Sequence, residues 1–160
     1  MALTIEDGSI VSGANSYITD AEFTAYADAR SVTYAATAEL REPFIIKAMD
    51  YLESFEYDGY RVEPDNQLFN FPRHTIYANG RWIVSTTIPR EIKNAQIEAA
   101  IAAISQDLLI TSTNQNIQKE KLDVMEVSYF SRGKNSKVRL DSVNRWLCPF
   151  LIDTAKLVRV

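Results

Sequence analysis

The sequence has few of the residues from which most catalytic and metal sites are built. Its 160 residues include one cysteine, Cys148, and one histidine, His74. One cysteine excludes a disulfide within the chain, and one Cys with one His cannot supply the four ligands of a structural zinc site. We interpret Cys148 as a small buried side chain and His74 as a surface or packing residue. The sequence therefore predicts no catalytic residue, no metal ligand and no cofactor, and nothing in it supports an enzyme.

Long apolar runs are missing as well. No stretch approaches the ~18 consecutive apolar residues that suggest a membrane span. The first apolar residues are interrupted by Glu6-Asp7-Gly8 and lack the basic region that opens a signal peptide. The length and composition fit one globular domain with a sizeable core. We therefore expect no membrane partner and a protein that stays where it is made.

Basic residues are scarce at the start of the chain and concentrated at its end. Residues 1–66 hold four Lys/Arg against thirteen Asp/Glu, whereas residues 131–160 hold seven basic and two acidic residues. The net charge is −4. This asymmetry is equally compatible with two solvated faces and with head-to-tail self-association or a separate polar partner for each end. The overall acidity disfavours contacts with phosphate groups.

Helical patterns cover the first half of the chain. Thr19 followed by Glu22 is a capping-box pattern, which predicts a helix from about Asp20 to Arg30 with an aromatic face. A second helix is expected from about Pro43 to Phe55. An earlier start near Thr37 stays open, because proline is tolerated only near a helix N-terminus.

Two more helices are expected further along. The alanine-rich stretch from Pro89 to about Leu109 is apolar on several sides, which predicts the central helix of the fold. A short helix should cover 141–147, ending near Pro149.

Hairpin signals fall between these helices. Residues 57–88 carry several turn signals and form a long excursion, and Asn79-Gly80 between two β-prone runs predicts a hairpin at its tip. From Lys119 to Phe130 apolar and polar residues alternate, and the alternation is interrupted at Asp123-Val124, which indicates a hairpin or bulge. The expected fold is mainly α: a small bundle of three to four helices with one or two β-hairpins and an extended C-terminal tail.

Five short motifs stand in one order along the chain: "EDGS…ANSYITDAEFTAYADAR", "KAMDYLESFEYDGYRVEPDNQLFNFPR", "IPREIKNAQIEAA", "KEKLDVMEVSY" and "LCPFL". Together they resemble a tailed-bacteriophage family of head-to-tail adaptors, or head-completion proteins, whose members are often labelled DnaT-like single-stranded-DNA-binding proteins. Two departures are Phe71-Pro72-Arg73 in place of Trp-Pro-Arg and Asp123 in place of a turn glycine.

The resemblance implies a structural role in the virion neck, after assembly in the host cytoplasm. Such adaptors are small helical proteins that form a twelve-membered ring beneath the portal, into which their C-terminal tails dock. The implied partners are the portal, neighbouring subunits, the next neck, stopper or tail-completion protein, and double-stranded DNA that passes without sequence-specific binding. The alternative is an accessory protein that binds single-stranded DNA. We disfavour it because the aromatic-rich half is the acidic half, and most aromatics fit a core.

These expectations assign parts of the chain to partners. One adaptor domain, residues 1–148, would carry an N-terminal arm (1–18) and the excursion (57–88), followed by a docking tail (149–160). We hypothesise that the arm becomes ordered mainly on assembly. The predicted portal-binding residues are Pro149, Phe150, Leu151, Ile152, Lys156, Leu157, Val158 and Arg159. The predicted subunit-interface residues are Gly13, Asn15, Tyr17, Asn79, Gly80, Arg81 and Trp82.

Overall fold

Four helices form the body of the molecule. In this computed structural model the described residues are 2–109 and 138–152, together with the backbone of 119–122 and 125–128. The helices are α1 (Asp20–Asp28), α2 (Ala38–Glu53), α3 (Arg90–Ser105) and α4 (Asp141–Leu147), and a 3₁₀ turn, Cys148–Phe150, follows α4 directly. The predicted fold class, a mainly helical bundle with short hairpins, is confirmed.

The first two helices begin in different ways. Thr19 Oγ1 accepts the Glu22 N–H (3.1 Å), and the Glu22 carboxylate accepts the Thr19 N–H (2.8 Å), which confirms the capping box. Helix α2 begins before the predicted Pro43, with Thr37 at its N-cap position but without a side-chain cap bond. It continues through Pro43, which is exposed; the proline has no N–H to donate to the carbonyl one turn earlier.

Helix α3 lies at the centre, as its composition predicts. It packs against both α2 and α4, and Ala95, Ala99, Ala100 and Ala103 are buried along it. Small side chains allow neighbouring helices to approach closely, so an alanine-rich helix suits this position.

A buried glutamine connects this centre to the N-terminal arm. Gln96 on α3 is fully buried, and its Oε1 accepts the backbone N–H of Tyr17 (3.0 Å). Its Nε2 donates to Ser16 Oγ (3.0 Å) and to the carbonyl of Ile45 in α2 (3.1 Å). The side chain thus uses three hydrogen bonds to join the arm, α2 and α3, which offsets the cost of burying an amide.

The arm itself is folded against the body. Ile5 forms a parallel bridge with Ser16, and the buried carboxylate of Glu6 accepts the N–H groups of Gly8 and Val11, both at 2.8 Å. Our hypothesis that the arm becomes ordered mainly on assembly is corrected by these contacts, because groups within the single chain already satisfy its polar backbone.

The excursion holds two very short antiparallel pairs. Strand β1 (Tyr60–Arg61) pairs with β2 (Arg73–His74), and β3 (Tyr77–Ala78) pairs with β4 (Arg81–Trp82). Between β3 and β4, Asn79 and Gly80 have φ values of 52° and 77°. Two consecutive residues in this region are typical of the primed hairpin turn that Asn-Gly favours, so the predicted hairpin is confirmed.

The excursion is attached to α2 through Glu53. This carboxylate accepts the backbone N–H of Asn70 (2.9 Å) and the hydroxyl of Tyr17 (3.1 Å), and that hydroxyl in turn accepts the N–H of Phe71 (3.0 Å). The Phe71–Pro72 peptide is cis. Burial raises the pKa of the Glu53 carboxyl.

A second hairpin lies near the C-terminal part of the chain. Strand β5 (Lys119–Leu122) pairs antiparallel with β6 (Met125–Ser128), and Leu122 stands opposite Met125. The pairing agrees with the hairpin that the interrupted alternation of apolar and polar residues predicts. The turn residues, 123–124, lie outside the described residues.

Candidate interaction surface

Two exposed aromatic rings mark the outer face of the β3–β4 hairpin. Tyr77 and Trp82 stand opposite each other in the register, and they are 56% and 67% exposed. Their ring centroids are 5.2 Å apart at an interplanar angle of 66°, so each ring supports the other edge to face. With Asn79 and Arg81 at the tip, they form what we call the hairpin surface.

The tip of this hairpin is tied to the first turn of α3. Glu91 Oε1 accepts a hydrogen bond from Asn79 Nδ2 (3.2 Å) and lies 3.7 Å from Arg81 Nη2. The second oxygen, Glu91 Oε2, is buried and makes no hydrogen bond to any described residue. The carboxylate thus fixes the hairpin to a rigid helix and retains one unused acceptor, which carries a free-energy cost until a donor reaches it.

A cleft of about 450 Å³ runs beside the tip. It lies between the hairpin and the end of α4, and Arg145, Trp146 and Pro149 line its α4 side. The guanidinium of Arg145 lies 5.1 Å from the centre of the Trp146 ring. The cleft therefore places a third aromatic ring and a second arginine next to the hairpin surface.

The wider electrostatic environment is acidic. The described residues 2–109 and 138–152 contain ten Lys/Arg and seventeen Asp/Glu, a net charge of −7. At the hairpin surface Arg81 is paired with Glu91, and in the neighbouring cleft Arg145 is exposed. Apolar and aromatic contact is thus the main chemistry that this surface offers, with few cations to hold an anionic polymer.

The predicted subunit-interface residues divide into two groups. Asn79, Gly80, Arg81 and Trp82 are exposed together at the hairpin. Gly13, Asn15 and Tyr17 lie in the arm. Gly13 is exposed, whereas Asn15 holds the arm through Thr4 (N to Oδ1, 2.8 Å). The assignment of Tyr17 to an interface is corrected, because its side chain is 1% exposed and bonds to Glu53.

The predicted portal-binding residues also divide into exposed and buried ones. Pro149 and Ile152 are exposed, but Phe150 is fully buried, with its ring centroid 6.0 Å from that of Phe71. Leu151 forms an antiparallel bridge with Tyr57. The prediction that Phe150 is an exposed anchor is therefore wrong, because its ring is packed in the core of the domain. Lys156, Leu157, Val158 and Arg159 lie outside the described residues.

The sequence analysis missed other residues at this surface. Cys148 is exposed, not buried as we expected, because it follows α4 on the side facing away from the core. Glu91 follows Gly80 by eleven residues and Arg145 and Trp146 follow it by more than sixty, and no short motif joins them to Asn79-Gly80. One local signal concerns Glu91: it follows the predicted start of a helix, where the helix dipole favours a carboxylate.

In the part of the chain that the structure describes, no helix is long and apolar enough to cross a membrane, and no group of three or more His, Cys, Asp or Glu side chains could hold a metal ion.

Comparison with known proteins identifies a family. A family model described as "Putative DnaT-like ssDNA binding protein" matches residues 1–160. No curated protein and no solved structure matches the chain significantly. The description agrees with the second of our two functional interpretations, binding of single-stranded DNA, and it says nothing of a phage adaptor.

Proposed function

The chain belongs to this DnaT-like family, and we propose, from the ordered motifs that resemble those of phage adaptors, that it acts as a structural head-to-tail adaptor of a tailed phage. In this role it performs no catalysis. It binds the portal through its C-terminal residues, meets neighbouring copies in a ring of about twelve, a number taken from the resemblance alone, and presents a platform to the next neck protein. The proposed location is the virion neck, after assembly in the host cytoplasm.

One observation carries this proposal: the exposed Tyr77–Trp82 pair on a hairpin that Glu91 fixes to α3. Tryptophan, tyrosine and arginine are the residues that contribute most to protein–protein interfaces, especially where their conformation is preorganised. The acidic body supports the same role, since a protein of net negative charge does not grip DNA passing beside it.

The test replaces Trp82 with alanine and counts the copies bound to the cognate portal ring by light scattering. Since loss of a central aromatic anchor typically costs 2 kcal/mol or more, we expect about 30-fold weaker assembly. Leu40→Ala is the matched control, because Leu40 is 60% exposed and belongs to α2, not to the hairpin surface. Equal assembly by Trp82→Ala, Leu40→Ala and the unchanged chain would show that the hairpin surface is not an interface.

Binding of single-stranded DNA is the second candidate, and the family description supports it directly. The structure adds an observation in its favour: Tyr77 and Trp82 are exposed rings near two arginines, a combination on which bases can stack. Against it stand the chain's net charge of −4 and the pairing of Arg81 with Glu91.

Fluorescence anisotropy with a labelled oligothymidine distinguishes the two functions. The adaptor proposal predicts that the chain binds the oligothymidine weakly and that Trp82→Ala does not change this affinity. Tight binding that falls steeply with salt, and that Trp82→Ala weakens about 5- to 150-fold while assembly on the portal stays intact, would instead establish the DNA-binding function.

A further inference from the structure

Strand β4 has a free edge on the side that faces away from β3. The Ile83 N–H donates to the Ile76 carbonyl (2.9 Å), so these two residues form a hydrogen-bonded pair. Hydrogen-bonded and non-hydrogen-bonded pairs alternate along an antiparallel ladder, so the neighbouring pair, Tyr77 and Trp82, is of the second kind. The N–H and carbonyl groups of Trp82 therefore point away from β3, and no described residue bonds to them.

The same edge continues to Val84. The side chains of Trp82 and Val84 are 67% and 61% exposed, whereas Ile83 between them packs against the core. Such alternation indicates extended backbone, in which the N–H of Val84 points the same way as that of Trp82. The Val84 carbonyl accepts only long bonds from Thr87, 3.4 Å from its N–H and 3.2 Å from its hydroxyl. We call residues 82–84 the β4 edge.

The β4 edge lacks the side chains that usually prevent a strand from pairing with another chain. Folded proteins protect exposed edges with charged residues or proline. Residues 82–88 contain neither, and tryptophan, isoleucine, valine and threonine, which favour strands, make up most of them. Arg81, the nearest cation, is paired with Glu91. An exposed, uncharged edge of this kind is suited to adding one more extended strand.

The same edge of a second copy fits this position. In an antiparallel arrangement about a two-fold axis at Ile83, Trp82 of one copy lies opposite Val84 of the other, and the two residues exchange backbone hydrogen bonds. Their exposed apolar side chains then contact each other on one face of the four-stranded sheet. Arg81 lies opposite Ser85, so no like charges meet across the axis.

We propose that two copies of the chain form a reversible dimer by pairing their β4 edges in this register. The contact is small, so the dimer is weak. A two-fold contact cannot join the subunits of a head-to-tail ring, so the dimer forms between free copies of the chain. The proposal does not rest on the adaptor function, and its failure would leave the Trp82→Ala test on the portal ring unaffected.

Sedimentation of the full chain alone tests the association. From about 10 μM to 1 mM, we expect the mean mass to rise from that of one copy towards that of two. Val84→Lys adds a charge to the edge and should weaken association about tenfold or more. Leu68→Lys is the matched control, because Leu68 is 57% exposed and lies outside the β4 edge. A single copy at every concentration, or equal association of the two variants, would overturn the proposal.

Disulfide cross-linking tests the register. The Cys148→Ser chain serves as background, so that each introduced thiol is the only one. The proposed axis brings the two Ile83 Cα atoms to about 4.5 Å, within reach of a disulfide, but leaves the two Val84 Cα atoms about 7–8 Å apart. We expect Ile83→Cys to form a disulfide-linked dimer faster than Val84→Cys, although Val84 is the more exposed position. Faster cross-linking of Val84→Cys would show that this register is wrong.

Hydrogen exchange shows whether the edge is free in a single copy. We expect the Trp82 amide to exchange rapidly in dilute solution and more slowly at high concentration, where copies pair. The Ile83 amide, which is bonded to Ile76, is the control and should be protected at both concentrations. A Trp82 amide that is already protected in dilute solution would mean that another part of the same chain covers the edge, and the proposed dimer would be wrong.

Discussion

At the scale of single residues, buried polar side chains join parts of the fold that the apolar pattern cannot connect. Arg41 is a clear case: its Nε and Nη2 donate to both oxygens of Asp20 (2.7 and 2.6 Å), and its Nη1 donates to the carbonyl of Ala35 (2.7 Å). This bidentate pair ties α1 to α2. Gln96 and Glu53 play the same part for the arm and the excursion.

Glu53 gives a prediction for pH dependence. Its carboxyl pKa is raised in the folded state, mainly by burial, from an ordinary value of 4.5. The folded state therefore keeps this proton at pH values where the unfolded chain has lost it. The contribution of Glu53 to stability is complete below pH 4.5 and is lost as the pH rises through the folded-state pKa.

The Glu53→Gln substitution removes this titration. We expect the free energy of unfolding of the variant to improve relative to the unchanged chain as the pH rises above 4.5, measured by urea denaturation at several pH values. Glu56→Gln, three residues further along and exposed, is the control. If the free energies of unfolding of Glu53→Gln and of the unchanged chain differ by the same amount at every pH, the pKa of Glu53 is not raised in the folded state.

At the scale of elements, packing decides which local signals matter. Gly8 and Gly13 both have positive φ values, 110° and 73°, and the sequence presents them as equivalent turn residues of the arm. A Cβ at Gly13 would meet nothing within 4 Å, but one at Gly8 would lie 2.3 Å from the carbonyl oxygen of Thr86. The arm therefore packs, at Gly8, directly on the loop that leads from the hairpin to α3.

These two glycines make a matched pair of substitutions. Gly13→Ala should cost about 1–2 kcal/mol through backbone strain alone. Gly8→Ala should cost more, because the same kind of strain is added to a clash with backbone atoms that cannot move freely. Thermal or urea denaturation measures both free energies of unfolding. A Gly8→Ala chain as stable as the Gly13→Ala chain would show that the arm does not pack on Thr86.

At the scale of the whole molecule, the chain returns after α4 to close the base of the excursion. The Asp58 N–H donates to the Phe150 carbonyl (2.9 Å), and the Ile152 N–H donates to that of Glu56 (3.2 Å). Residues 149–152 thus belong to the body of the fold. A truncation that tests docking of the C-terminal segment must follow Ile152, since cutting after Cys148 removes a core ring.

Phe150→Ala tests this closure. The ring is fully buried, so we expect a loss of about 3–5 kcal/mol in the free energy of unfolding. Ile152→Ala, at a half-exposed position two residues later, should cost less than about 1 kcal/mol. Similar small losses for both variants, measured in urea, would show that Phe150 does not hold the core.

The sequence by itself determined the local elements. The Thr19–Glu22 capping box, the Asn79-Gly80 turn and the alanine-rich α3 act through neighbours in the chain, so their signals can be read without the fold. The mainly helical class follows from them, and so does the place of α3 at the centre.

Only the tertiary structure decided which side chains face outwards and which meet. It buried Tyr17 and Phe150 and exposed Cys148, and it joined Asn79 and Arg81 to Glu91 beside Trp146. Contacts of this kind arise when separate elements pack together, and no local pattern encodes them, because burial depends on what the other elements cover.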